Sequence, residues 1–127
     1  MSTVAMGDPV AFELIKNALA GIADSMAVTV VRTARSFVVK QTMDFSTGLC
    51  TANGELVAQG LCTPLHLGSM PPALAAVIWH YGDQFQPGDI YGLNDPYEGG
   101  SHLPDIFLFK PVFAKGTLLG FVNCIAH

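Results

Sequence analysis

The 127-residue sequence predicts an α+β domain with a long amino-terminal amphipathic helix, a β-hairpin, a second helix and a mixed or antiparallel sheet. Three observations carry that expectation. Apolar residues recur at three- and four-residue steps through the first quarter of the chain, an Asn-Gly pair divides two short strand-like runs, and two apolar strands flank Lys115-Gly116 near the end. Strands and helices follow one another without strict βαβ alternation, which argues against a wound parallel sheet.

Asp8-Pro9 predicts the start of the first helix, because the Asp carboxylate can accept from free backbone N–H groups while Pro suits the first helical position. Phe12, Ile15, Leu19, Ile22, Met26 and Val30 then form one face of a helix reaching about Ala34. From Phe45 the pattern changes to FSTGLCTANGELVAQG, in which Asn53-Gly54 predicts a tight hairpin turn. The segment CTPLHLGSMPP reads as a loop. Ser69 is the expected cap of a helix from about Pro71 to Tyr81, with Leu74, Val77 and Ile78 facing inward and Gly82 ending it. Asp89 to Leu93 reads as a short strand and Asn94 to Pro104 as a polar, Gly- and Pro-rich loop. DIFLFKPVF and TLLGFVNCIAH supply the last two strands.

Half of the residues are apolar and only 13% are charged, against about 25% charged in typical soluble domains. The length suits one domain with one core. No unbroken apolar run reaches the ~18 residues of a membrane span, so no membrane span is expected and burial against other protein is the expected use of the apolar excess. The opening MSTVAMGDPVAF has no basic segment followed by an apolar run, which predicts a cytoplasmic chain. Cys50, Cys62 and Cys124 make no C-x-x-C pair and read as reduced thiols. A net charge of −4 without a Lys/Arg cluster argues against nucleic-acid binding.

Chemistry concentrates in the loop NDPYEGGSHLPDIF, where Asp95, Glu98, His102 and Asp105 surround a Gly-Gly pair just before an apolar strand. His102 and Asp105 are three residues apart with Pro104 between them, so a turn can bring an imidazole and a carboxylate to one point. His127 adds a second imidazole. Two imidazoles and a carboxylate suit zinc, iron or manganese with positions left open. The same residues also suit a turn with a hydrogen-bonded structural histidine, and no fixed motif such as H-E-x-x-H decides between the two.

The runs DFSTGLCTANGELVAQ, PLHLGSMPPAL, PGDIYGLNDPYEGGSHLPD and GFVNCIAH, in this order and spacing, resemble the hydantoinase B/oxoprolinase family. The resemblance extends from about Asp8 to His127. It implies that His102, Asp105 and His127 bind a divalent metal (Zn, Fe or Mn) and that Asp44 of MDFS is a fourth, carboxylate ligand. Without the resemblance Asp44 reads as a turn residue before the hairpin. His66 and Asp95 are the candidate substrate contacts. His66 has the alternative of stabilising its own loop, and Asp95, like Asn94, that of shaping the signature loop through side-chain-to-backbone bonds.

Members of the family are several times longer, which predicts that these residues are the amino-terminal part of a longer subunit. The family includes ATP-dependent hydantoinases, oxoprolinases and lactamases and subunits of acetone and acetophenone carboxylases. The implied function is hydrolysis of a cyclic amide: a metal-activated water attacks a carbonyl phosphorylated by a hydantoinase A-type partner that binds ATP. The absence of a G-x-x-x-x-G-K-[ST] loop fits ATP binding by that partner in a hetero-oligomer. The rivals are ketone carboxylation at the same site and a non-catalytic interaction module.

Overall fold

A computed structural model describes residues 7–60 and 66–127. Their order is helix α1 (Pro9–Thr33), helix α2 (Phe37–Thr42), strands β1 (Phe45–Thr51) and β2 (Leu56–Gln59), helix α3 (Met70–Tyr81), then strands β3 (Tyr91–Leu93), β4 (Ile106–Ala114) and β5 (Thr117–Ala126). The strands form one antiparallel sheet in the order β2-β1-β5-β4-β3. The predicted class therefore holds, with the sheet antiparallel rather than mixed. Cys62 and the first part of the CTPLHLGSMPP segment lie outside the described residues.

The two turns show how local sequence sets the pairing. Lys115 and Gly116 both have positive φ, 50° and 78°, and join Ala114 directly to Thr117. That is the geometry in which a two-residue turn matches the twist of its strands. At Asn53-Gly54 the predicted tight turn is a longer connection. Gly54 alone adopts positive φ, its N–H donates to the Thr51 carbonyl, and Thr51 N–H donates to the Glu55 carbonyl. Asn53 stays out of the left-handed region that a two-residue Asn-Gly turn requires.

One face of the sheet is sealed by α3. Met70, Ala73, Leu74 and Val77 pack on Cys50, Phe107, Phe109, Phe121 and Ile125, with Phe85 closing the end; Ile78 packs at the margin. Ser69 occupies the N-cap position of α3 as expected, but its side chain makes no capping bond. Its hydroxyl donates instead to the His66 carbonyl at 2.8 Å, tightening the turn ahead of the helix.

The other face is half covered, by α1 and α2 against β1 and β2. Asp8 caps α1 as predicted, accepting from Val10 and Ala11. The face of α1 that packs overlaps the predicted one only toward its end, where Val30 packs beside Ala27. Ala23 and Ala27 are buried, whereas Phe12 is 65% exposed and Ile15 and Ile22 are also open. Close approach selects this seam: the Ala23 carbonyl accepts from the buried Thr47 hydroxyl at 2.9 Å, a distance that larger side chains on that face would prevent. Phe12, Ile15 and Ile22 of the apolar stripe are left uncovered, and by length and composition alone α1 could cross a membrane, a property the reading of unbroken runs missed. Helix α2 was not predicted; Ser36 accepts from Val39 at its start and Met43, at φ 58°, ends it. Beyond α1, Ile106, Leu108 and Val112 of β4 remain substantially exposed.

Candidate metal centre

The sheet's register assembles the site. Phe45 of β1 and Ile106 of β4 both pair with Ala126 of β5, so Asp44, Asp105 and His127 occupy the next rung, one residue past the ends of three adjacent strands. A bond from His127 N–H to the Asp44 carbonyl, 3.4 Å, carries the ladder into that rung. Side chains alternate between faces along a strand. Continued one residue, that alternation puts all three on the side of Ser46, Phe107 and Ile125, the face covered by α3.

His102 comes from the loop before β4. Asp105 N–H donates to the His102 carbonyl at 2.8 Å, a turn that folds the histidine back over the carboxylate. Asp95 accepts from Tyr97 N–H and through its carbonyl from Glu98 and Gly100, while Asn94 donates to the Leu103 carbonyl. Asp95 thus spends its polar groups on holding the loop. Glu98 pairs with His80 of α3 at 3.1 Å. Gly99, at φ 96°, sits so close to α3 that a Cβ there would lie 2.6 Å from the Pro72 carbonyl carbon and oxygen. The loop is therefore fastened to the helix by backbone contact.

His102, Asp105 and His127 converge so that one ligand atom from each lies within 4.8 Å of the others. Asp105 is the pivot. It is 4% exposed, with Oδ1 3.4 Å from His127 Nδ1 and Oδ2 4.0 Å from His102 Nδ1. Ser101 donates to Oδ2 at 3.1 Å. The imidazoles stack, their centroids 5.5 Å apart and planes 8° from parallel. Ligand atoms bonded to one ion at about 2.1 Å lie roughly 3 to 3.5 Å apart. The His127 and Asp105 atoms already have that spacing, while His102 Nδ1 stands 4.0 Å from the other Asp105 oxygen. The donor set fits a zinc, iron or manganese ion.

Asp44 is not within this trio but stands beside it across His66. His66 Nε2 is 3.6 Å from Asp44 Oδ1 and 3.6 Å from Asp105 Oδ2. Its Nδ1 lies 3.1 Å from the Ser46 hydroxyl, and the residue is 1% exposed. The sequence offers this histidine as a substrate contact or a stabiliser of its own loop; its position between residues 44, 46 and 105 emerges only in the fold.

The hydantoinase B/oxoprolinase family model matches residues 8–127. The chain is similar to 5-oxoprolinase 1 of Arabidopsis thaliana, with 38% identity over 96% of the chain and 10% of that protein. It is similar to caprolactamase subunit beta of Pseudomonas jessenii, with 37% identity over its whole length and 21% of the relative. The crystal structure of the ATP-dependent caprolactamase from that organism superposes with a TM-score of 0.88 at 36% identity, covering 96% of this chain and 21% of the other. Nucleotide-free acetone carboxylase superposes at 0.86 and 25% identity, covering 95% and 16%. The chain thus spans about a tenth to a fifth of the length of these relatives.

Proposed function

The chain belongs to the hydantoinase B/oxoprolinase family, and from that premise we propose that it forms the metal-binding part of an ATP-dependent cyclic amide hydrolase. The homologues are enzyme subunits, oxoprolinase and caprolactamase among them, which supports a role in an enzyme complex. The observation that carries the finer reading is the convergence of two imidazoles on the buried Asp105 carboxylate, with a second carboxylate, Asp44, in the same rung.

When bound, a divalent ion supplies a Lewis acid and lowers the pKa of a water. Asp105 brings negative charge from the buried side, and Ser101 fixes one of its oxygens. His102 and His127 offer nitrogens from the solvent side, and His102, 63% exposed, leaves room there for a small ring substrate. Asp44, beside the trio and 3.6 Å from His66 Nε2, would offer a second carboxylate oxygen to such an ion. The reaction is attack of water on a ring carbonyl made electrophilic by phosphorylation; the ring C–N bond breaks to leave a free amine and an acyl phosphate, and a second water cleaves the acyl phosphate to carboxylate and phosphate. ATP belongs in this reading to a hydantoinase A-type partner of a cytoplasmic hetero-oligomer, a view supported by the relative named subunit beta.

The test is His102→Ala in the assembled complex, with metal content and ATP-dependent amino acid release from a lactam both measured. Loss of both is expected; full metal stoichiometry with full turnover overturns the reading. The likeness to acetone carboxylase favours a second reaction at the same residues, bicarbonate-dependent carboxylation of a ketone. The higher identity to caprolactamase supports the hydrolase. Acetoacetate formed from acetone, ATP and bicarbonate would reverse that preference. A non-catalytic interaction module predicts substoichiometric metal and a harmless Asp44→Ala.

A further inference from the structure

His66 sits where two carboxylates meet. Its Nε2 is 3.6 Å from Asp44 Oδ1 and 3.6 Å from Asp105 Oδ2. Both side chains descend from strand ends on either side of β5, so their separation follows from the rung, and two like charges held there repel. A hydrogen on the buried Nε2, equidistant from the two oxygens, would offset that repulsion electrostatically and favour one orientation of each carboxylate.

The histidine is itself immobilised. Its carbonyl accepts from both the N–H and the hydroxyl of Ser69, at 3.1 and 2.8 Å, which ties its backbone to the head of α3. Its Nδ1 meets the fully buried Ser46 hydroxyl at 3.1 Å. The tautomer in which the Ser46 hydroxyl donates to Nδ1 carries the ring hydrogen on Nε2, toward the carboxylates. The ring is buried and has no open side toward solvent, so it is poorly placed to touch a substrate.

We propose that His66 is a positioning residue of the metal centre: anchored by Ser46 and Ser69, it directs Nε2–H between Asp44 and Asp105 and sets the orientation in which they meet a cation. This inference rests on the metal reading above and gives His66 a role different from the substrate contact expected from the sequence. Outer partners that orient ligands typically change metal affinity by about 10- to 100-fold when removed.

Two amides separate this role from its rivals, because Gln places its side-chain nitrogen near the position of Nε2 and Asn places its nitrogen near that of Nδ1. His66→Gln keeps a donor toward the carboxylates; His66→Asn keeps only the Ser46 side. Each complex is titrated with Mn²⁺ and Zn²⁺ by calorimetry, and the Co²⁺-substituted visible spectrum reports ligand geometry, with thermal melting to verify folding. The expected result is affinity within about threefold of the parent for Gln and a loss of about 10- to 100-fold for Asn. Ser46→Ala, a milder change, is expected to fall between them and covers the case in which Asn fails to fold. Parent-like affinity and spectrum in His66→Asn would show a loop role and overturn the proposal. Equal losses in both amides, with a Co²⁺ spectrum indicating one nitrogen ligand fewer, would make His66 a direct ligand and also overturn it. A parent complex that binds no cation stoichiometrically fails the metal reading itself, and the proposal with it, before any variant is compared.

Discussion

Gly99→Ala isolates the contact that holds the site's loop. At φ 96° an L-residue is strained whatever surrounds it, and an added Cβ would lie 2.6 Å from the Pro72 carbonyl carbon and oxygen and 2.8 Å from Ala73 N. Those atoms belong to the backbone of α3 and cannot rotate away. The left-handed conformation costs roughly 1–2 kcal/mol for a residue with a Cβ, and forced overpacking a further ~1–3 kcal/mol. Gly116→Ala is the control: its φ is 78°, yet no heavy atom lies within 4 Å of the added Cβ, so only the conformational cost applies. Urea unfolding of both variants, at unchanged m value, is expected to show Gly99→Ala less stable than Gly116→Ala by about 1–3 kcal/mol. Relief of the clash moves a loop that holds His102 three residues later, so metal affinity should fall in Gly99→Ala and not in Gly116→Ala. Equal destabilisation of the two, with equal metal affinity, would refute the reasoning.

Thr47→Val removes the hydroxyl that joins β1 to α1 at the Ala23 carbonyl; a loss of about 1 kcal/mol is expected in the same unfolding assay. Burial pushes the Cys50 thiol up to about 11, against which the Asn123 side-chain hydrogen bond acts weakly. At neutral pH Cys50 should therefore alkylate far more slowly than the partly exposed Cys124, as read by peptide mass spectrometry. Because the folded value exceeds the ordinary 9.0, this thiol's contribution to stability is complete below pH 9 and is lost as pH rises toward 11. A Cys50→Ser variant should lack that component of the alkaline decline.

What could be read from the sequence was local. Asp8-Pro9, Lys115-Gly116 and the run from Pro71 to Tyr81 carry their geometry in adjacent residues, and the corresponding elements form where expected. The packed seam of α1 escaped because periodicity ranks side chains by hydrophobicity, whereas Thr47 reaching the Ala23 carbonyl selects small ones. Helix α2 is six residues long, too short for any periodicity to register. In the site, His102 and Asp105 were visible as neighbours in one loop. Asp44 was visible only through resemblance to a family, and the place of His66 only in three dimensions, since strand order brings residues 44 and 105 together and the turn ahead of α3 sets residue 66 against them.

The single rung that holds Asp44, His127 and Asp105 also makes the centre a gauge of correct folding. A slip of β1 by one residue would turn Asp44 to the opposite face along with every other side chain of that strand. Such a misaligned chain could keep much of its hydrogen bonding yet lose the Asp44 carboxylate from the rung. Any ion that engages the rung binds the native alignment in preference to the slipped ones and stabilises it in proportion to RT ln(1 + [ion]/Kd). It would tie together strand ends that are distant along the chain, where closing the intervening loops is slow. Cation supply during synthesis would then influence how much chain reaches the native pairing, quite apart from what the finished centre catalyses.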